Sequence, residues 1–173
     1  NITYIDETLL GYDIGPGNCL VDAWCQRTLN KPYDDKGHWA RTGKLNGQLL
    51  KRLLNEPYFY VEPPKSSGKE LFNLDWLKKN AIEYQLETMN SQDVQRTLLE
   101  LTAVTISKSV KKTSKVSNVI VCGGGRKNEF LMERIRSLLD LEDEGGYVLD
   151  ASEHWGIDGD SLEASAFAWL AFR

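Results

Sequence analysis

Cysteine, long apolar runs and any excess of basic charge are what this sequence has little of. Only Cys19, Cys25 and Cys122 occur among its 173 residues. The number is odd, no Cys-x-x-Cys pair exists and no histidine stands at ligand spacing, which argues against a disulfide scaffold or a zinc site. Cysteine in apolar surroundings behaves as a small hydrophobe, and a reducing cytoplasm is the expected compartment. The longest strongly apolar stretch, Ala164 to Phe172, falls far short of a bilayer span, and no secretory leader pattern opens the chain, so no membrane partner is expected. Lys and Arg total 21 against 25 Asp and Glu, a net charge of −4. No basic stripe interleaves with aromatics, which excludes nucleic acid as an expected partner. Internal repeats and low-complexity tracts are also missing.

What remains is an ordinary globular balance, 41% hydrophobic and 27% charged, in a length that suits one domain with a real core. Asn1 to Ile5 and Leu9 to Asp13 read as two strands joined by the polar Asp6-Glu7-Thr8, an expected antiparallel pair. Gly15-Pro16-Gly17 breaks the second strand, and a helix follows from Leu20 to Leu29. Another helix is expected from about Trp39 or Leu45 to Leu54, where Glu56-Pro57 ends it. Val61 to Gly68 reads as a loop and Leu74 to Asn80 as a short helix. Asn90 or Ser91 can cap a long helix to about Lys112, with Val94, Leu98, Leu101 and Thr105 on one face. Asn118 to Cys122 is short and apolar, the pattern of a strand buried on both faces. After Gly123-Gly124-Gly125, Asn128 can cap a helix, Asp140 to Glu144 reads as a solvated acidic loop, and Tyr147 to Leu149 is a further strand. A final helix from Ser161 to Phe172 carries alanine at 164, 166 and 168, suited to close packing on a sheet. Strand, helix, strand and helix in that order predict an α/β fold with a mixed sheet, antiparallel first strands and crossover helices.

Three segments can carry chemistry. Asp13 ends a strand and is followed by Ile14-Gly15-Pro16-Gly17-Asn18 and a helix. A carboxylate there faces the crevice at the carboxyl edge of an open sheet and can act as a general base; Asp13 and Asn18 can equally serve as plain turn and helix caps. Gly123-Gly124-Gly125 between a strand and a helix can cradle phosphate or merely permit close packing. It matches neither the P-loop nor the dinucleotide fingerprint. Asp160 and Glu163 stand three apart at a helix start, the spacing of a capping box, with a ligand role as the alternative. Lys65-Ser66-Ser67-Gly68-Lys69 superficially suggests a phosphate loop, but no strand precedes it and a solvated loop is the simpler reading. His38 and His154 stand apart from any nucleophile.

Taken together, five segments resemble anhydro-N-acetylmuramic acid kinases in order along the chain. They are Gly11-Tyr12-Asp13-Ile14-Gly15-Pro16-Gly17-Asn18 with Asp22-Ala23-Trp24; Pro64 to Glu70 with Phe72-Asn73; Leu101-Thr102-Ala103 with Thr105-Ile106; Val121 to Gly125 with Asn128; and Gly159-Asp160 with Glu163-Ala164 and Phe167 to Ala171. The resemblance implies an actin-like ATPase (ribonuclease H-like) lobe. It implies transfer of the γ-phosphate of ATP, with Mg2+, to an anhydro amino sugar while water opens its 1,6-anhydro ring, in recycling of the cell wall. Asp13 then matches the general base. Gly15, Pro16, Gly17, Asn18 and Glu163 match the sugar side, Gly123, Gly124, Gly125 and Asn128 the nucleotide side, and no side chain is assigned to metal. Ile14 stands where the family usually has threonine. The family's Gly-x-Met-Ser-Gly-Thr-Ser segment is absent, so residues 1–173 read as a single domain, the C-terminal lobe of a two-lobed kinase. Such a lobe is expected to be inactive alone and, by resemblance, to belong to a homodimer. Another actin-like sugar or carboxylate kinase, or a non-catalytic binding or dimerisation module, are the alternatives.

Overall fold

A computed structural model describes residues 1–5, 9–68, 70–112, 118–140 and 147–172. The Asp6-Glu7-Thr8 link and the acidic loop after Asp140 lie outside these residues. The chain is a mixed α/β protein in which helices predominate.

Its centre is a 21-residue helix, α5 (Ser91–Lys111). Asn90 starts it by accepting a hydrogen bond from the Gln92 N–H, satisfying one of the donors that every helix start leaves free. Val94, Leu98, Leu99, Leu101, Ala103 and Val110 are buried, but so are Gln95, Thr97, Glu100, Thr102 and Thr105. The helix is therefore enclosed nearly all round. Helices α1 (Cys19–Leu29), α2 (His38–Thr42), α3 (Gly47–Leu53) and α6 (Glu129–Asp140) pack around it. Each fully buried leucine removed from water contributes roughly 1.5–3 kcal/mol. The one buried carboxylate on α5, Glu100, is held by Arg96 (2.6 Å) and by two bonds from Arg134 (both 3.0 Å). Burial pushes its carboxyl up, but the two guanidinium groups outweigh it and hold the group below its ordinary range. Helix α4 (Leu74–Asn80), capped by Asn73, completes the layer beside α1 and α3.

Strands are few and short. β1 (Ile2–Ile5) and β2 (Leu9–Tyr12) pair antiparallel, with Ile2 opposite Tyr12, as expected. β3 (Asn118–Val121) and β4 (Val148–Ala151) pair parallel on either side of α6, the β-α-β order read from sequence. The single mixed sheet is not formed among the described residues; each strand pair is a separate two-stranded ladder. Each strand is four residues long.

Three further expectations are corrected. β3 is not buried on both faces: Asn118 and Ile120 are exposed, because only one side of its ladder meets the helices. The helix expected from Trp39 or Leu45 to Leu54 is two helices, α2 and α3, broken at Gly43. A Cβ at Gly43 would lie 2.1 Å from the Gln92 carbonyl oxygen, so the chain turns there to clear the start of α5. The last helix, α7 (Leu162–Phe172), leaves Ala164 and Ala168 exposed rather than pressed on a sheet.

Candidate active site

β2 ends at Tyr12 and delivers Asp13 to the head of a turn that runs into α1. The turn is pinned from two sides. From α5, the Thr102 hydroxyl donates to the Gly17 carbonyl at 2.6 Å, so a threonine inside the helical core reaches out to fix the turn. Gly17 adopts φ +52, a conformation that costs a residue with a side chain. From the other side comes the loop read from sequence as merely solvated. The Asp13 N–H donates to the Lys65 carbonyl (3.2 Å), the Lys65 ammonium to the Tyr58 carbonyl (3.0 Å) and the Tyr58 hydroxyl to the Asp13 carbonyl (2.9 Å). These three bonds close a ring through residues 13, 65 and 58.

The Asp13 side chain is held as firmly as its backbone. Its Oδ2 accepts from the Ser66 hydroxyl at 2.8 Å and from the Ser67 N–H at 2.9 Å. Among the described residues Oδ1 has no hydrogen-bond partner. The carboxylate is half-buried, fixed through one oxygen and available through the other. Lys65 lies 4.7 Å from the centre of the Tyr58 ring, and burial together with the charge of Lys112 lowers its pKa.

Asn18 does not act as a helix cap. Its side chain makes no capping bond to α1; it faces the second glycine segment, with Nδ2 3.4 Å from where a Cβ at Gly125 would stand. The structure therefore brings the Asp13 turn and the Gly123–Gly125 turn together. Gly123, at φ +72, hands β3 into a short 3-10 turn over Gly124–Lys127, and Gly124 is open to solvent. The Gly123 N–H donates to the Gly159 carbonyl at 2.9 Å. Arg126 locks the same junction, donating to the Gly123 carbonyl (2.8 Å), Glu153 Oε1 (2.6 Å) and Asp160 Oδ1 (2.8 Å). Asp160 also accepts from Lys127 at 2.6 Å. The Arg126 bond holds the Glu153 carboxyl down to about 2, and Arg126 with Lys127 holds Asp160 well below the usual carboxylate range.

Asp160 thus spends its oxygens on Arg126 and Lys127 rather than serving as a plain helix cap. The side chain of Glu163, on the first turn of α7, lies outside the described residues. Asn128 does cap: its Oδ1 accepts from the Leu131 N–H at 3.0 Å. Pro16 is buried beneath the turn, with its carbonyl accepting from the Cys19 N–H at 3.1 Å, and Gly15 lies beside Phe59 and Thr105. Sequence reasoning missed Tyr58, Ser66, Ser67, Thr102 and Arg126 as site residues. The run Pro64 to Glu70 was the available signal for the two serines, but its partner stands more than 50 positions away.

A half-buried carboxylate at a strand end, beside a second glycine-rich turn, thus makes up the candidate site of this mixed α/β protein. A family model described as anhydro-N-acetylmuramic acid kinase matches residues 1–173, and the chain belongs to that family. Proteins named anhydro-N-acetylmuramic acid kinase from Shewanella sp. strain ANA-3 and Sulfurimonas denitrificans are each 44% identical over 176 residues. These alignments cover 100% and 99% of this chain and 46% of each relative. One of the same name from Pseudomonas syringae pv. tomato is 46% identical over 168 residues, 96% of this chain and 44% of the relative. The chain spans about half the length of the relatives it matches.

Proposed function

We propose that this chain is the C-terminal lobe of an actin-like, two-lobed kinase that uses ATP and Mg2+ to convert anhydro-N-acetylmuramic acid to N-acetylmuramic acid 6-phosphate in the cytoplasm. The observation that carries the reading is the Asp13 carboxylate, held through Oδ2 with Oδ1 free beside two glycine turns. Asp13 takes a proton from water as the water oxygen bonds to the anomeric carbon of the sugar. The bond from the anomeric carbon to the oxygen on carbon 6 breaks, that oxygen bonds to the γ-phosphorus of ATP, and the bond from that phosphorus to the bridging oxygen breaks to release ADP. Holding the base before substrate arrives reduces the entropy lost in reaching that geometry.

The residues fit a nucleotide on the glycine side. Around Gly123 and Gly124 a Cβ would meet nothing nearer than 3.9 Å, so the backbone is open to close approach by a ligand. Gly123, Gly124 and Gly125 would line the ATP side, with Asn128 acting through the start of α6. Gly15, Pro16, Gly17, Asn18 and Glu163 would line the sugar side. Magnesium would enter with the phosphates, and no group of three or more His, Cys, Asp or Glu side chains able to hold a metal exists among the described residues. Among them, too, no helix is long and apolar enough to cross a membrane. The working protein would be a homodimer, and this lobe alone would be inactive.

Replacing Asp13 by Asn in the intact two-lobed kinase should lower turnover by about 10²–10⁴-fold, read as release of ADP in the presence of the anhydro sugar. Near-wild-type turnover would sink the assignment of the base.

A further inference from the structure

We propose that Ser66, together with the backbone N–H of Ser67, is the positioning group that selects which oxygen of Asp13 does the chemistry. The inference rests on Asp13 being the base and adds a role for the loop at Pro64 to Gly68.

The loop carries two distinct sets of bonds. One set is structural: the ring through Asp13, Lys65 and Tyr58 engages only the main chain of Asp13, through the Lys65 carbonyl and ammonium and the Tyr58 carbonyl and hydroxyl, and fixes where the loop sits. The other touches only the reacting group. Ser66 Oγ and Ser67 N both donate to the same oxygen, Oδ2, at 2.8 and 2.9 Å. Two donors converging on one oxygen stop the carboxylate from rotating about its final bond, a torsion that is otherwise broad. Oδ1 is thereby left as the proton acceptor, in one fixed orientation.

Ser66 is itself exposed. A hydroxyl at the surface that bonds a carboxylate adds little to folding, so its reason to be there lies in what it does for Asp13. Ser67 differs, because its contribution comes from the main chain and survives loss of its hydroxyl. The chemistry therefore assigns unequal roles to two adjacent serines.

The test uses the intact kinase, with steady-state kinetics in ATP and in the anhydro sugar. Ser66→Ala is expected to lower kcat about 10- to 100-fold, with KM for both substrates within about threefold of wild type and an unchanged melting temperature. Ser66→Thr, which keeps the hydroxyl, should recover most of the lost kcat, and Ser67→Ala should retain it. Wild-type kcat in Ser66→Ala, or a loss that Ser66→Thr does not repair, would overturn the proposal. So would a lowered melting temperature accompanied by parallel losses in kcat and affinity, the pattern of a merely structural residue. The two levels separate through Asp13→Asn. An inactive Asp13→Asn beside a fully active Ser66→Ala removes the positioning role alone; an active Asp13→Asn removes the base and this role with it.

Discussion

The two glycine turns that meet at the candidate site are held by different physics. The Asp13 turn is fixed by neutral and charge-assisted hydrogen bonds to main chain, backed by a helix buried on nearly every side. The Gly123 turn links the end of half-exposed β3 to the start of α6 and is fixed largely through one arginine and two acidic partners. The first is set by packing and the second by charge. The difference indicates where this domain responds to salt and strong acid: screening, and protonation of Glu153 and Asp160, act on the very contacts that hold the second turn.

The largest effect should come from the core side. Leu98→Ala, at a fully buried position on α5, is expected to cost about 3–4 kcal/mol. Ile120→Ala on β3, where the side chain is 44% exposed, should cost under about 1 kcal/mol. Urea unfolding midpoints of the two variants measure the contrast directly, and equal losses would erase it.

A smaller effect separates the regions by pH. Burial first, and then the charge of Asp34, raises Asp22 on α1 to about 6 from its ordinary 3.8. A carboxyl raised on folding favours the folded state while protonated, so its stabilising contribution is lost as pH climbs from about 4 to about 6. Asp22→Asn should therefore be more stable than the parent at neutral pH, by about 1–2 kcal/mol after allowing for partial solvation, and should lose that stretch of pH dependence. Thermal melts between pH 4 and 7 test this.

The smallest effect belongs to the Arg126 junction, and its sign is opposite. Glu153 and Asp160 are depressed on folding, so their contribution is present above about pH 4 and is lost as pH falls toward 2. Hydrogen exchange at Gly123 and Gly125 should quicken over that range relative to Gly17, after correction for the intrinsic pH dependence of exchange. Uniform change at all three glycines would show that the turns are not held differently.

How much of this the sequence disclosed depends on the reach of each contact. The caps at Asn90 and Asn128 were legible because a cap and its helix are neighbours in the chain. The antiparallel β1–β2 pair and the parallel β3–β4 pair were legible for the same reason: alternation and the intervening helix are local. Gly43 was not, since what stops the helix there is the Gln92 carbonyl, and nothing around residue 43 announces it. Asn18 carries the residue type of a cap and does other work, because Gly125 offers it a surface more than 100 positions on. The serine loop hid most completely. It has no periodicity, and two of its bonds to Asp13 use main-chain groups that any residue would supply. The family resemblance marked the loop as a signature, and only the fold gave the signature a partner.

Thr102 has a mechanical meaning beyond its single bond. It sits in the middle of α5, a rod about 30 Å long at 1.5 Å per residue, gripped along its length by four other helices. Because its hydroxyl holds the Gly17 carbonyl, the Asp13 turn rides on that rod as a tooth rides on a gear. A rotation or slide of α5 would pull on the Asp13 turn through that bond, while the serine loop holds the carboxylate from the other side. Strain entering this domain from any neighbour of α5 would thus have a direct route to the candidate base.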